Sequence, residues 1–157
     1  MVGYILLVAA VLAMSAVVYT WMKTYVPKDS IQCPEGVSVY AKKINCVDGE
    51  IELIIKNNGR FDINGFFIRG TINENQEIGT EDLSKVCVAG SNGGKIALEL
   101  GVNQESSPFS CDVSGITGND IYSVEITPYR IEEFNGKMQE VICTNANIME
   151  KVVGGPC

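Results

Sequence analysis

The sequence predicts an α+β protein: one long apolar N-terminal α-helix followed by an antiparallel β-sandwich head. Three observations carry that prediction. The first 22 of the 157 residues hold no charge, and the first charged side chain is Lys23. Beyond that run, short alternating or filled apolar segments are separated by Gly, Asn and Pro clusters, the pattern of strands and turns. Six cysteines, all after the apolar run, are widely spaced along this second part. The expected organisation is a helix over 1–26, a linker over 27–32 and a head over 33–157, which leaves about 130 residues beyond the helix, room for one core.

At ~1.5 Å rise per residue, the run from Val2 to Val26 makes a rod of roughly 38 Å, longer than the hydrocarbon core of a bilayer. Ala13-Met14-Ser15 loosely fits a small-x-small cleavage site, yet the apolar pattern continues unbroken past it, so the segment reads as retained rather than as a discarded signal. Side-chain sizes are sorted around this rod. One residue every ~100° places Ala9, Ala13, Ala16 and Thr20 on one narrow stripe and Leu7, Val11, Met14, Val18, Met22 and Tyr25 on the opposite side. Lipid gives no reason to sort sizes, whereas packing against other helices rewards close backbone approach along small residues. The residues expected to pack are therefore Gly3, Ala9, Ala13 and Ala16 on the small side and Leu7, Val11, Met14 and Val18 on the large side. Tyr19, Trp21 and Tyr25, with Lys23 among them, read as an interfacial belt. Pro27 has no amide hydrogen with which to continue the helix, so the rod ends or bends there.

Charge and chemistry exclude several functions. Twelve basic and nineteen acidic residues give a net charge of −7, all of it beyond residue 22. Such a surface repels nucleic-acid phosphates, and no nucleic-acid partner is expected. With no histidine in the chain, the ordinary general base near neutrality is missing, and no serine sits in a GxSxG elbow. Gly90-Ser91-Asn92-Gly93-Gly94-Lys95 superficially matches a phosphate loop, but Ala89 stands where its first glycine belongs and Ile96 where Ser or Thr should bind magnesium. It reads as a hairpin turn. Asn73-Glu74-Asn75-Gln76-Glu77 offers oxygens at alternate positions, yet Ile78 replaces the glycine a calcium loop requires, so it reads as a solvated loop. No enzyme activity, metal or cofactor is expected, and no Asn-x-Ser/Thr sequon occurs.

In the head, Glu50–Lys56 and Phe61–Arg69 flank Asn57-Asn58-Gly59, which predicts a hairpin over 50–69. Further strands are expected at Gly36–Ala41, Lys95–Leu100, Ile121–Tyr129, Lys137–Thr144 and Ile148–Val153, with a turn or two of helix within Glu81–Val86. The even, widely spaced cysteines Cys33, Cys46, Cys87, Cys111, Cys143 and Cys157 read as three disulfides formed in an oxidising compartment. Fifteen pairings are possible. The expected one joins Cys87 to Cys111 across the middle and uses Cys33, Cys46, Cys143 and Cys157 to fasten the two chain ends together.

The run Val2-Gly3-Tyr4-Ile5-Leu6-Leu7, followed by small and branched apolar residues and then Tyr19-x-Trp21-x-Lys23-x-Tyr25-Val26-Pro27, closely resembles the N-terminal helix of archaeal type IV pilins and archaellins. The resemblance is specific over residues 2 to 27. It implies an immunoglobulin-like head and a helix that waits in the cytoplasmic membrane after a prepilin-type peptidase removes a basic leader. An assembly motor and platform would then draw that helix into the core of a helical homo-polymer. The expected function is thus the structural subunit of an extracellular pilus serving adhesion or surface attachment. The alternatives are an archaellum subunit and a monomeric, membrane-anchored surface-binding domain.

Overall fold

The computed structural model describes residues 2–25, 31–88, 93–116 and 120–157. The expected linker lies largely outside them, as do Pro27 and the Gly90–Asn92 part of the glycine-rich run. Two compact units result, residues 1–31 and 32–157. The first holds α1, Val2–Tyr25. The second consists of antiparallel β-sheets, so the chain is α+β.

The first sheet is built on β1 (Val39–Val47) and β2 (Glu50–Asn57), joined by Asp48-Gly49. Both turn residues have positive φ, 53° and 83°, the backbone twist that closes a two-residue hairpin and favours Asp-Gly. β2 buries Ile51, Leu53, Ile55 and Asn57 at alternate positions, so one face of the sheet meets the core. The short strand β3 (Phe109–Asp112) adds to its other edge through Ile51↔Cys111 and Leu53↔Phe109, giving the order β1-β2-β3.

The second sheet centres on β6 (Ser123–Phe134). On one side it pairs with β4 (Gly65–Thr71), which in turn holds the two-residue strand β5 (Glu81–Asp82). On the other side β7 (Lys137–Ile142) and β8 (Ile148–Lys151) lie end to end, pairing with Tyr129–Phe134 and Ser123–Ile126 respectively. Strands are numbered in chain order within each sheet. Asn135-Gly136, with φ of 51° and 75°, makes the β6–β7 turn in the same way as Asp48-Gly49. Ile51, Leu53 and Ile55 of one sheet and Phe66, Ile68, Val124 and Ile126 of the other belong to a single buried apolar cluster.

Three disulfides close the unit: Cys33–Cys143, Cys46–Cys157 and Cys87–Cys111. They follow the expected scheme, with the first two tying the start of the unit to its end. The C-terminus is pinned a second time by paired backbone bonds between Cys157 and Ile121, both 3.0 Å.

Several expected strands are revised. The 50–69 hairpin does not form, because β2 and β4 belong to different sheets. Asn57 explains the difference. Its buried side-chain amide donates to the carbonyls of Phe61 (2.9 Å), Leu100 (3.0 Å) and Gly101 (3.2 Å) and accepts from the Gly59 amide (3.0 Å). The side chain therefore satisfies a loop crossing between sheets, where no ladder is available to do so. Lys95–Leu100 is not a continuous strand either: its backbone pairs at two isolated points, Phe66↔Ile96 and Ile63↔Leu100. The first contact runs so close to Gly65 that a Cβ there would lie 2.1 Å from the Ile96 carbonyl oxygen. β6 runs on to Phe134, five residues past the expected end at Tyr129, while β3 was not expected at all. Within Glu81–Val86, a single 3₁₀ turn occupies Leu83–Lys85, capped by the Asp82 carboxylate on the Ser84 amide.

Replacing Asn57 by Ala takes one bond from each of three loop carbonyls, of which those of Leu100 and Gly101 still accept from the Ile63 and Gln104 amides, and removes the acceptor of the buried Gly59 bond; it should lower unfolding stability by about 1–3 kcal/mol. The urea midpoint of the variant, at unchanged m-value, measures this.

Candidate functional site: the N-terminal helix

Residues 2–25 form an uninterrupted helix because nothing in them breaks it. No proline occurs, the one glycine is Gly3 in the first turn, and Ala, Leu and Met supply strong helix formers among the valines. Lys23 stands in the last turn, where a cation complements the helix dipole. Over Gly3–Lys23 the helix is long and apolar enough to cross a membrane.

Gly3, Leu7, Ala9, Val11, Ala13, Met14, Ala16, Val18, Tyr19 and Trp21 all lie on this helix, and all are exposed. Tyr25 is its final residue, and its side chain lies outside the described residues. The helical repeat keeps Ala9, Ala13, Ala16 and Thr20 together, whereas Gly3, six residues before Ala9, stands about 120° round from that stripe. Leu7, Met14 and Trp21 are 65%, 72% and 68% exposed, so large apolar side chains stand open along the whole length of the helix.

The hydroxyls of the helix interior are turned inward. Ser15 Oγ donates to the Leu12 carbonyl at 2.9 Å. Thr20 Oγ1 donates to the carbonyls of Val17 (2.9 Å) and Ala16 (3.1 Å). A hydroxyl bonded within its own helix can enter an apolar environment without losing a hydrogen bond. Sequence reasoning placed Thr20 on the small stripe but passed over Ser15; a hydroxyl within reach of the preceding turn was the available signal. At the other end, Lys23 Nζ lies 4.9 Å from the centre of the Tyr19 ring. This cation–π contact holds the helix's one charge against an aromatic ring one turn earlier.

A surface groove of about 520 Å³ is lined in part by Asp48, Glu50, Glu52 and Phe109, with Lys43 held on Glu52. Among the described residues no three His, Cys, Asp or Glu side chains converge to hold a metal ion. In the 73–77 loop the Gln76 carbonyl oxygen accepts from the Ile72 amide and its amide donates to Thr80 Oγ1, so this side chain is committed to the loop itself. The Glu105 carboxyl is held below its ordinary range chiefly by the hydrogen bond from Lys42 at 2.7 Å. Because its folded-state value is depressed, this exposed pair supports the fold above the ordinary Glu range, and that support fades as pH falls through the depressed value.

Comparison of the chain with protein-family models, with curated proteins and with solved structures gave no match.

Trp21 is the only tryptophan in the chain, so its emission reports the belt without mutagenesis. In reconstituted vesicles its fluorescence should be quenched more strongly by spin labels near the headgroups than by labels at the bilayer centre. Stronger quenching from the centre would remove Trp21 from the interface.

Proposed function

We propose that this chain is the structural subunit of an extracellular type IV pilus-like filament of the archaeal kind, polymerising through α1. The observation that carries this reading is the helix: apolar on every side, sorted by side-chain size, with interior hydroxyls bonded inward, and joined to a disulfide-closed β unit. Three disulfides fit an extracellular protein, and the N-terminal helix fits residence in a membrane before assembly. The β unit, read as an immunoglobulin-like head, would tile the outside of the filament and carry adhesion or surface attachment. A prepilin peptidase and an assembly motor are the implied partners.

The energetics favour a one-way process. Burying ~25 cal/mol per Å² over ~2,000 Å², the scale of large obligate interfaces, gives tens of kcal/mol gross relative to water. Relative to lipid the gain is far smaller, because lipid is equally apolar and only packing differs. Extraction from the membrane therefore calls for a motor, and a finished filament in water resists dissociation. A head-to-tail contact at a rotation that does not close gives an open helical polymer rather than a ring.

The Ala13→Leu variant places a large side chain on the small stripe. It should abolish filaments while leaving the β unit folded with its disulfides intact. Electron microscopy of material sheared from cells, with mass spectrometry of the subunit, reads the outcome. Normal filaments from the variant would end the packing argument, and wild-type chain dispersed singly in lipid would favour a membrane-anchored binding domain.

A further inference from the structure

The way the chain enters the β unit points to a mechanical role for one disulfide. Tension along the helix, whether from a filament or from a membrane anchor, enters the β unit by way of Cys33. Beyond Cys33 the backbone leads to β1, which pairs along its length only with β2. On its other side, among the described residues, β1 has backbone bonds only to Val153, made by Ile44 and Cys46 near its far end. The pair nearest the incoming chain is Val39↔Asn57, at the open end of the β1–β2 hairpin, and the turn Asp48-Gly49 is at the opposite end. Before β1, the Gly36 and Ser38 carbonyls each accept one backbone bond, from Arg60 at 2.9 Å and Asn58 at 3.1 Å. A pull through this backbone route would load these bonds and then the β1–β2 ladder one rung after another from its open end.

Cys33 supplies another route. Its bridge leads to Cys143, which is fully buried and donates its amide to the Pro128 carbonyl of β6 at 2.9 Å. Cys143 lies between β7 and β8, which together pair with β6 over Ser123–Ile126 and Tyr129–Phe134. β6 is in turn paired with β4 across Ser123–Tyr129. We propose that the Cys33–Cys143 disulfide is the load-bearing junction of the protein: it delivers tension into the centre of the larger sheet and shields edge strand β1 from peeling. The Cys46–Cys157 bridge is a second stop, since it limits how far the chain from Cys33 can unravel. The proposal does not rest on polymerisation, because a single anchored domain would carry load along the same route.

The test is single-molecule pulling on the full oxidised chain in detergent, with handles at the N-terminus and at Gly115, where a side chain meets nothing within 4 Å. Wild-type protein should show no early extension. The Cys33→Ser/Cys143→Ser pair should show an added low-force step of up to roughly 45 Å, the extended length from Cys33 to the stop at Cys46. The Cys46→Ser/Cys157→Ser pair should behave as wild type at low force. A protease site inserted between Pro34 and Val37 and cut after folding extends the test to a molecule with every bridge intact. The helix should remain attached to the β unit and bear the same load as before cutting. An early step in uncut wild-type protein, or a loss of strength on cutting, would overturn the assignment.

Discussion

The β unit depends on one apolar contact between two sheets of unequal size. Ile51, Leu53 and Ile55 from the smaller sheet and Phe66, Ile68, Val124 and Ile126 from the larger share a single buried cluster. Every connection between the sheets has to respect it. The loop after β2 must cross over without a ladder, hence the fourfold use of the Asn57 side chain; the segment after Gly94 must run against Gly65, where only a missing Cβ leaves room. The disulfides act on the same problem from outside. A unit as small as residues 32–157 gains little from burial beyond what it loses in chain entropy, and bridges spanning most of its length restrict the unfolded chain.

The helix stands under a different constraint. It has no polar face with which to meet water, and its interior hydroxyls are already bonded to its own carbonyls. This element therefore needs an apolar surrounding supplied by something else, lipid or protein. Size sorting is what favours protein, since methyl-sized side chains at Ala9, Ala13 and Ala16 let another backbone come near. The β unit meets its own constraint differently, by closing on itself with covalent bonds.

How legible this was in the sequence varied with the range of the interaction. The helix could be read because its signal is compositional and local: no breaker between Gly3 and Pro27, no charge before Lys23. The cysteine scheme could be read in outline because Cys33 and Cys46 stand near the beginning of the head and Cys143 and Cys157 near its end, though not which of Cys143 and Cys157 meets Cys33. Strand partners were harder. Asp48-Gly49 and Asn58-Gly59 carry the same turn chemistry, yet only the first closes a hairpin, because the direction taken by the Asn57 amide depends on carbonyls more than 40 residues away. β3 escaped notice because four residues after Pro108 are too few to show a period. The alternation in Lys95–Leu100 was real, but it reflects isolated contacts at Ile96 and Leu100 rather than a ladder.

The position of β7 at the outer border of the larger sheet has a consequence for crowding. A strand on the border offers unpaired backbone donors and acceptors to whatever comes alongside. Wherever helices gather, β units are brought to millimolar-scale proximity or closer, and borders of this kind could zip together and fuse neighbours in the wrong arrangement. β7 is short, and its exposed stretch Lys137-Met138-Gln139-Glu140 carries both signs of charge, with Glu140 held by Lys95. Joining two such borders would force charged side chains out of water, so the strand resists pairing with a copy of itself.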